Sequence, residues 1–542
     1  MRGHFSPNPS APHQRRWQRC FEIVPGAISW SILVGMVLLT FWKPLAAAVL
    51  IIAFDLYWLL RLLYMTIFLV LSYLWLAVER STDWMARLRE LDGVLGNGAV
   101  GAMPLRWPQR LSAWRHHRAL DASQRHGSSI RSDEIYHLVI IPVAKETREV
   151  IEPGLQSLAH QQFPSSRILL VLALESRASD AVKEGVQQLQ RAYRRHFLDL
   201  LVITHPDGLP GEARVKGANA TYAARAAADF FAARDVAFDA VIASCFDADT
   251  VVNPDYCACL AYHFMTCPDR TRASFQPIPV YHNNIWQAPA FSRVLETGAS
   301  FFQMIEATNP EHLVTFSSHS MSFRALVDAG YWPVDMISDD SAIFWKALLR
   351  FDGDYRVVPM YVTLSMDAVS AGSWWRTIRS VYRQKRRWAW GVENFPVVMR
   401  GFQRNRHIPW TRKLRHGFKL LETHVSWATS AFLLTVIGWL PALFAGREFS
   451  SSVFYYSAPR VTGVIFGLSS LALVISIVLS LGLLPPPPVR YPLLRRMGVA
   501  VEWLLVPLVA TFLSALPALD AQTRLMLGRR MEFQVTEKTR QA

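Results

Sequence analysis

Charge is scarce in this sequence, and acidic charge is the scarcer kind. Of 542 residues, 18% are Asp, Glu, Lys or Arg, and 57 basic residues stand against 42 acidic ones for a net charge of +15. That is charge-poor for a soluble protein. A basic excess suits nucleic acid or an anionic membrane face. No RNA- or DNA-binding motif accompanies it, so no nucleic-acid partner is expected. Cysteine is also rare: Cys20, Cys245, Cys257, Cys259 and Cys267 make no disulfide framework, and reduced thiols in a cytoplasmic setting are expected. On a helix, Cys259, His263 and Cys267 would share a face, which allows a thiolate metal site, although small apolar packing is the commoner use of that pattern. The first apolar run lacks a small-residue cleavage site, which argues against a secretory signal and for a retained anchor.

Apolar sequence is abundant, at 51% of residues with 19 Trp, and it is unevenly spread. Ile28 to Trp42 is one run; after Lys43-Pro44, Leu45 to Val78 is a second, with only Asp55 and Arg61 inside. At about 20 residues per crossing, two spans are expected. They leave Arg15, Arg16 and Arg19, and the basic stretch from Arg87 to Arg118, on the cytoplasmic side. Leu91 to Gly127 reads as a connector, either riding on anionic headgroups or simply solvated. Beyond Pro409, Val425 to Phe444 and Val461 to Leu484 can each span. Arg490, Arg495 and Arg496 place the loop after Pro485–Pro488 inside. Met497 to Leu516 contains Glu502 and Pro507. A full crossing there sends Arg529, Arg530, Lys538 and Arg540 outside, which a segment broken around Pro507 and Pro517 would repair.

Between the apolar ends, short β-type runs alternate with helical ones. Strands are expected at Leu138–Val143, Arg167–Leu174, Leu200–Thr204 and Val241–Thr250, with helices at Val150–Gln161, Ser179–Phe197 and Val215–Arg234. This alternation predicts a parallel sheet covered on both faces, and ligands of such sheets lie beyond the carboxyl ends of the strands. Three polar groups fall there: Lys145-Glu146, Glu175 and the pair Asp247 and Asp249. Side chains two apart in an extended segment point the same way, so both acids can face one hard divalent cation.

Further on, Ala273 to Tyr281 reads as a strand, Thr315 to Phe323 is rich in hydroxyls, and Ser338-Asp339-Asp340-Ser341 opens a helix. One acid at a helix start is a cap; two exceed that need, and one of them is a candidate base. From Ser373 to Trp390, Arg376, Arg379, Arg383 and Arg386 or Arg387 recur beside an apolar stripe of Trp374, Ile378 and Trp388, the pattern of a helix in the headgroup plane. Gln384 to Trp388 at its end adds charge for phosphates and an aromatic face for a sugar.

In this order the residues resemble the membrane-embedded inverting glycosyltransferases of family 2, the group that includes cellulose and hyaluronan synthases. Pro142 to Glu146 stands at the family's Pro-x-x-Asn-Glu, with Lys145 in place of Asn. Glu175 replaces a uracil-contacting Asp. Lys216-Gly-Ala-Asn219 is similar to the element near the nucleotide, Asp247-Ala-Asp249 to the metal-binding Asp-x-Asp, and Ser338-Asp339-Asp340 to Thr-Glu-Asp with its terminal base. Gln384 to Trp388 fits Gln-x-x-Arg-Trp outright.

The resemblance implies an α/β GT-A (Rossmann-like) cytoplasmic domain flanked by transmembrane helices. It divides the chain into a basic tail (1–24), N-terminal spans (25–90), a linker (91–131), the GT-A domain (132–370), interfacial helices (371–417), C-terminal spans (418–530) and a cytoplasmic tail (531–542). It also implies Mg2+ or Mn2+ on Asp249 and Asp247, catalysis by Asp340 with Asp339 beside it, and donor contacts from Glu146, Glu175, Lys216, Asn219, Asp247, Gln384 and Arg387. Trp388 would stack on the acceptor. The expected partners are a nucleotide-sugar donor, a glycan or lipid-linked acceptor, and the bilayer of the plasma membrane. A nucleotide-binding sensor without turnover is the alternative of another class. No clear Arg-x-x-x-Arg signature marks the C-terminus, so cyclic-dinucleotide control is not expected.

Overall fold

A computed structural model of the protein describes residues 5–9, 11–95, 109–126, 130–444, 453–486 and 498–531. Among these residues, eight strands form one sheet: β1 (Tyr136–Val143), β2 (Ile168–Glu175), β3 (Asp199–His205), β4 (Val241–Cys245), β5 (Val251–Val252), β6 (Ala273–Val280), β7 (Ser320–Ser322) and β8 (Arg356–Ser365). Their order is β3-β2-β1-β4-β7-β6-β8-β5. The first four are parallel neighbours, as the alternation predicts.

Both faces of β2 and β4 are covered, and every residue of these two strands is buried, whereas the edge strand β3 is largely half-buried. Alternation along β1 sorts side chains into two cores. Leu138 and Ile140 pack with Ala220, Ala223, Ala224 and Ala227 of the helix Lys216–Ala232. Val139, Ile141 and Val143 pack with Ile151, Leu155 and Leu158 of the helix Arg148–Ala159. Fully burying one such aliphatic side chain contributes about 1.5–3 kcal/mol.

The sheet is mixed, not wholly parallel. β7 runs antiparallel to β4 and to β6, and β5 runs antiparallel to β8. The expected hydroxyl-rich segment thus supplies a short central strand, and its Ser320 hydroxyl bonds Ser244 of β4 (2.7 Å) and Tyr256 (3.0 Å) instead of packing apolar surface.

Among the described residues, four helices are long and apolar enough to cross a membrane: Pro12–Trp42, Pro44–Glu79, Gly463–Leu483 and Gly498–Met526. Pro44 separates the first two, because it starts a helix readily but cannot continue one. At 1.5 Å per residue the second is about 54 Å long, well beyond a bilayer core of about 30 Å. Val425 to Phe444 is not one helix. Trp410–Thr435 ends before Gly438 and Pro441, a 3-10 turn at Ile437–Trp439 follows, and Leu440–Phe444 restarts. The segment around Pro507 is helical from Gly498 to Met526, interrupted by a 3-10 stretch at Glu502–Leu505 and a π-turn at Thr511–Ala515 beside the prolines.

Two of the charges noted inside apolar runs have partners. Glu502 takes a bidentate pair from Arg293 (2.8 and 3.2 Å), and Arg61 pairs with Glu422. The connector forms two helices, Trp84–Leu95 and Gln109–His126. His116 bonds Tyr262 (2.9 Å) and Glu90 (2.6 Å), which fixes the second helix to the helix Tyr256–Thr266 beside the sheet. Arg106, Arg490, Arg495, Arg496, Lys538 and Arg540 lie outside the described residues.

Candidate active site

A cavity of about 670 Å³ opens where β1, β2 and β4 end. Of the eleven side chains singled out in the sequence, ten line it: Glu146, Glu175, Lys216, Asn219, Asp247, Asp249, Asp340, Gln384, Arg387 and Trp388. Asp339 does not. Consecutive residues on a helix diverge by about 100°, so Asp340 faces the cavity while Asp339 turns inward, 3% exposed, its Oδ2 without a hydrogen-bond partner among the described residues. Burial and then Asp340 push the Asp339 carboxyl well above the usual range.

Lys216 is the electrostatic centre. Its ammonium donates to Asp247 Oδ1 (2.8 Å) and to Asp340 Oδ1 and Oδ2 (2.9 and 3.2 Å), spanning the two acid groups. Burial pulls the Lys216 pKa down, but Asp247 and Asp340 outweigh burial and hold it well above its ordinary value. This contact requires the next residue to be Gly. A Cβ on Gly217 would stand 2.4 Å from the Pro333 carbonyl oxygen and 2.9 Å from Asp339 Cβ. Gly217→Ala is therefore expected to separate the lysine from the Asp340 loop. Overpacking of this kind costs about 1–3 kcal/mol, read as a lower Tm together with lost turnover.

The Asp-x-Asp turn is held from behind. Ser317 donates to Asp247 Oδ2, while the Ser318 hydroxyl accepts from the Asp247 amide (3.2 Å) and bonds Thr250 (2.8 Å). Ser318 adopts φ +59°, a conformation that costs a non-glycine residue energy and that marks functional turns. Asp249 Oδ2 accepts from the Asp367 amide (2.7 Å), and Asn283 links the Asp249 carbonyl (2.8 Å) to the Asp367 carboxylate (2.9 Å). Two carboxylates facing one cavity fit a hard divalent cation that takes its remaining oxygens from a ligand. Among the described residues, no group of three or more His, Cys, Asp or Glu is placed to hold a metal.

The Gln-x-x-Arg-Trp helix, Trp374–Ala389, exposes Trp374, Trp375, Arg376, Arg379 and Arg383 and buries Val381, Gln384 and Lys385. Arg386 turns to Asp520 (2.9 Å) on the last apolar helix, which leaves Arg387 as the arginine on the cavity. Lys385 lies 3.6 Å from the centre of the Trp388 ring and pairs with Glu296 (2.9 Å), both fully interior. One face of the indole is thus occupied by a cation, and Phe316 meets it edge-on at 5.6 Å. Gln384 is 4% exposed, with Oε1 unpartnered among the described residues.

On the β1 and β2 side the acids are less available. Glu146 Oε2 accepts from its own loop, Ala144 N (2.8 Å) and Lys145 N (2.9 Å). Glu175 pairs with Arg177, and Asn219 Nδ2 donates to the Ala173 carbonyl (2.6 Å). Cys259, His263 and Cys267 pack in the core as free thiols and an imidazole beside Trp84. Burial raises both thiols and lowers the His263 pKa to about 3.

Sheet and site define a class first: a Rossmann-like GT-A domain with paired acids at the end of a central strand. Residues 243–485 match the family model Glycosyl transferase family group 2. The match begins inside β4, so Lys216 and β1 to β3 lie before it. No curated protein matches the chain. Solved structures similar to it include the mannosyltransferase PcManGT from Pyrobaculum calidifontis in complex with GDP-Man and Mn2+. It is 15% identical, covering 77% of this chain and 99% of that one, with a TM-score of 0.37. S. aureus TarS 1-349 in complex with UDP-GlcNAc is 13% identical, covering 74% and 94%, with a TM-score of 0.36.

Proposed function

We propose that the protein is an inverting, metal-dependent glycosyltransferase that moves a sugar from a nucleotide sugar, a UDP-sugar by preference, to a growing polysaccharide at the cytoplasmic face of the plasma membrane. The observation that carries this reading is the join made by Lys216 between Asp247 and Asp340 across one cavity that also holds Arg387 and Trp388. Asp247 and Asp249 would hold Mg2+ or Mn2+, which when bound supplies charge neutralisation to the diphosphate leaving group. Arg387 and Gln384 contact that diphosphate, and Glu146 and Glu175 face the nucleoside.

Asp340 accepts the proton of an acceptor hydroxyl as its oxygen attacks the anomeric carbon from the face opposite the diphosphate. One displacement inverts the centre, and no second carboxylate is needed as a nucleophile; the inward turn of Asp339 agrees. Trp388, on the cavity wall, contacts the acceptor sugar. Beyond it the cavity continues past Gln303, His312, Trp345 and Trp427. Gln303 and His312 are polar groups on that wall, of the kind that pairs with sugar hydroxyls. That favours a glycan over a bare lipid phosphate as the acceptor.

The test is nucleoside diphosphate release by lipid-reconstituted protein across a panel of nucleotide sugars with Mn2+ or Mg2+. One donor should be turned over, with release lost on chelation and in Asp249→Asn. A donor that binds but is never turned over, even with membrane lipid extract added, would leave the sensor reading standing.

A further inference from the structure

The loop that delivers Asp340, residues 333–338, has no regular structure of its own, and its attachments are uneven. Its outer side is clasped near its start. The Ser6 hydroxyl donates to Asp335 Oδ2, Phe5 packs on Met336 and Ala342, and Arg400 donates to the Ser6 carbonyl. At the helix end, Lys216 holds Asp340. Between these points Ser338 is the N-cap of the helix Asp339–Arg350, yet its hydroxyl does not cap that helix as a serine there normally does. It is turned instead to a residue that lies five positions beyond Trp388.

That residue is Glu393. Its Oε1 accepts from Ile337 N (2.9 Å), Ser338 N (2.9 Å) and Ser338 Oγ (2.8 Å), and its Oε2 accepts from Trp390 Nε1 (2.9 Å). Asn394 reinforces the link through Ser338 Oγ (3.2 Å) and Ser341 Oγ (3.0 Å). Glu393 is 7% exposed, and burial pushes its carboxyl up to about 7. An acid kept in so dry a place with four donors converging on it is there to hold those donors.

We propose that Glu393 is a positioning residue for transfer: it ties the loop bearing Asp340 to the end of the Gln-x-x-Arg-Trp helix, so that the proton-accepting and phosphate-contacting halves of the site keep one register. In its kinetic consequence the proposal rests on the transferase reading above; in its structural content it does not. Glutamine keeps an oxygen for the three donors of residues 337–338 but sets an amide N–H against the Trp390 N–H. Removing that indole N–H relieves the conflict.

The experiment compares full-length, lipid-reconstituted wild type, Glu393→Gln, and Glu393→Gln combined with Trp390→Phe. Amide hydrogen exchange over residues 335–341 is read beside steady-state kinetics with the donor that the panel identifies. The single variant should exchange faster at residues 337 and 338. It should also lose about 10- to 100-fold in kcat, the scale of an ångström-sized misplacement, with donor KM within about twofold. The double variant should recover most of both. Unchanged exchange in Glu393→Gln overturns the tether whatever the activity. Faster exchange with unchanged kcat, or with kcat and donor affinity falling together, overturns the positioning role. If the wild type turns over no donor, the transferase reading fails while the exchange result still decides the tether. Should Glu393→Gln not fold, Ser338→Ala removes one donor of the same link and is expected to give a smaller change of the same kind.

Discussion

Asp340→Asn is expected to lower kcat by about 10³-fold, with nucleotide affinity changed by less than about threefold. A positioned general base contributes about 10²–10⁴-fold, and this carboxylate sits across the cavity from the Asp-x-Asp pair, linked to it through Lys216. Asparagine keeps the shape and can still accept from Lys216, so the fold has little reason to respond. A carboxylate in the first turn of a helix is worth about 0.3–1 kcal/mol against the dipole, which sets the scale of the stability change. Asp339→Asn is the matching control. Its side chain is turned into the protein, and burial with Asp340 beside it already opposes its charge, so an amide there should leave kcat within a few-fold. Single-turnover rates and nucleotide binding measured on both variants decide the assignment. If Asp339→Asn is the more damaging, the two acids have exchanged roles; if Asp340→Asn keeps more than about a tenth of wild-type kcat, the base lies elsewhere.

How much of this was legible in the sequence depended on whether the information was local. That Asp247, Asp249, Asp340, Gln384, Arg387 and Trp388 meet on one cavity could be expected from motifs that span three to five positions each. β2 and β4 can be read because strands buried on both faces are nearly continuous apolar runs. β7 could not, since Ser320-Met321-Ser322 is too short to show alternation and is held by hydroxyl bonds to distant Ser244 and Tyr256. Glu393 and the Lys385–Glu296 pair were invisible for the same reason: Glu393's partners on the Asp340 loop lie 55 and 56 residues away, and Glu296 lies 89 residues from Lys385. Nothing in the neighbouring sequence distinguishes a buried, paired acid from a solvated one. Val425 to Phe444 misled through its apolar composition; Gly438 and Pro441 carried the signal that the helix breaks there. Asn219 lies on the cavity as the motif suggests, but its amide is committed to the Ala173 carbonyl, a constraint set by how the helix Lys216–Ala232 packs beneath β2.

Lys216→Met should be as damaging as loss of the base, by a different route. With the ammonium gone, Asp247 and Asp340 face each other across a partly dry cavity. Breaking a fully buried pair costs about 3–5 kcal/mol. Asp247 and Asp340 retain 33% and 25% side-chain exposure, so water screens part of that loss and about 1–3 kcal/mol is the expected destabilisation. Turnover should fall by about 10²–10³-fold, the size of effect that follows removal of one preorganised electrostatic contact. The informative part is the sign of the change in metal affinity. Lys216 and a divalent cation both place positive charge against Asp247, so removing the lysine lifts a repulsion. Mn2+ binding to the Lys216→Met protein, followed by calorimetry or electron paramagnetic resonance without substrate, should be tighter than in wild type even as catalysis collapses. Weaker Mn2+ binding would mean that Lys216 orders the Asp-x-Asp turn for the metal. In that case the lysine would belong to the cation site itself and would not be the link that sets base and metal acids at a common distance.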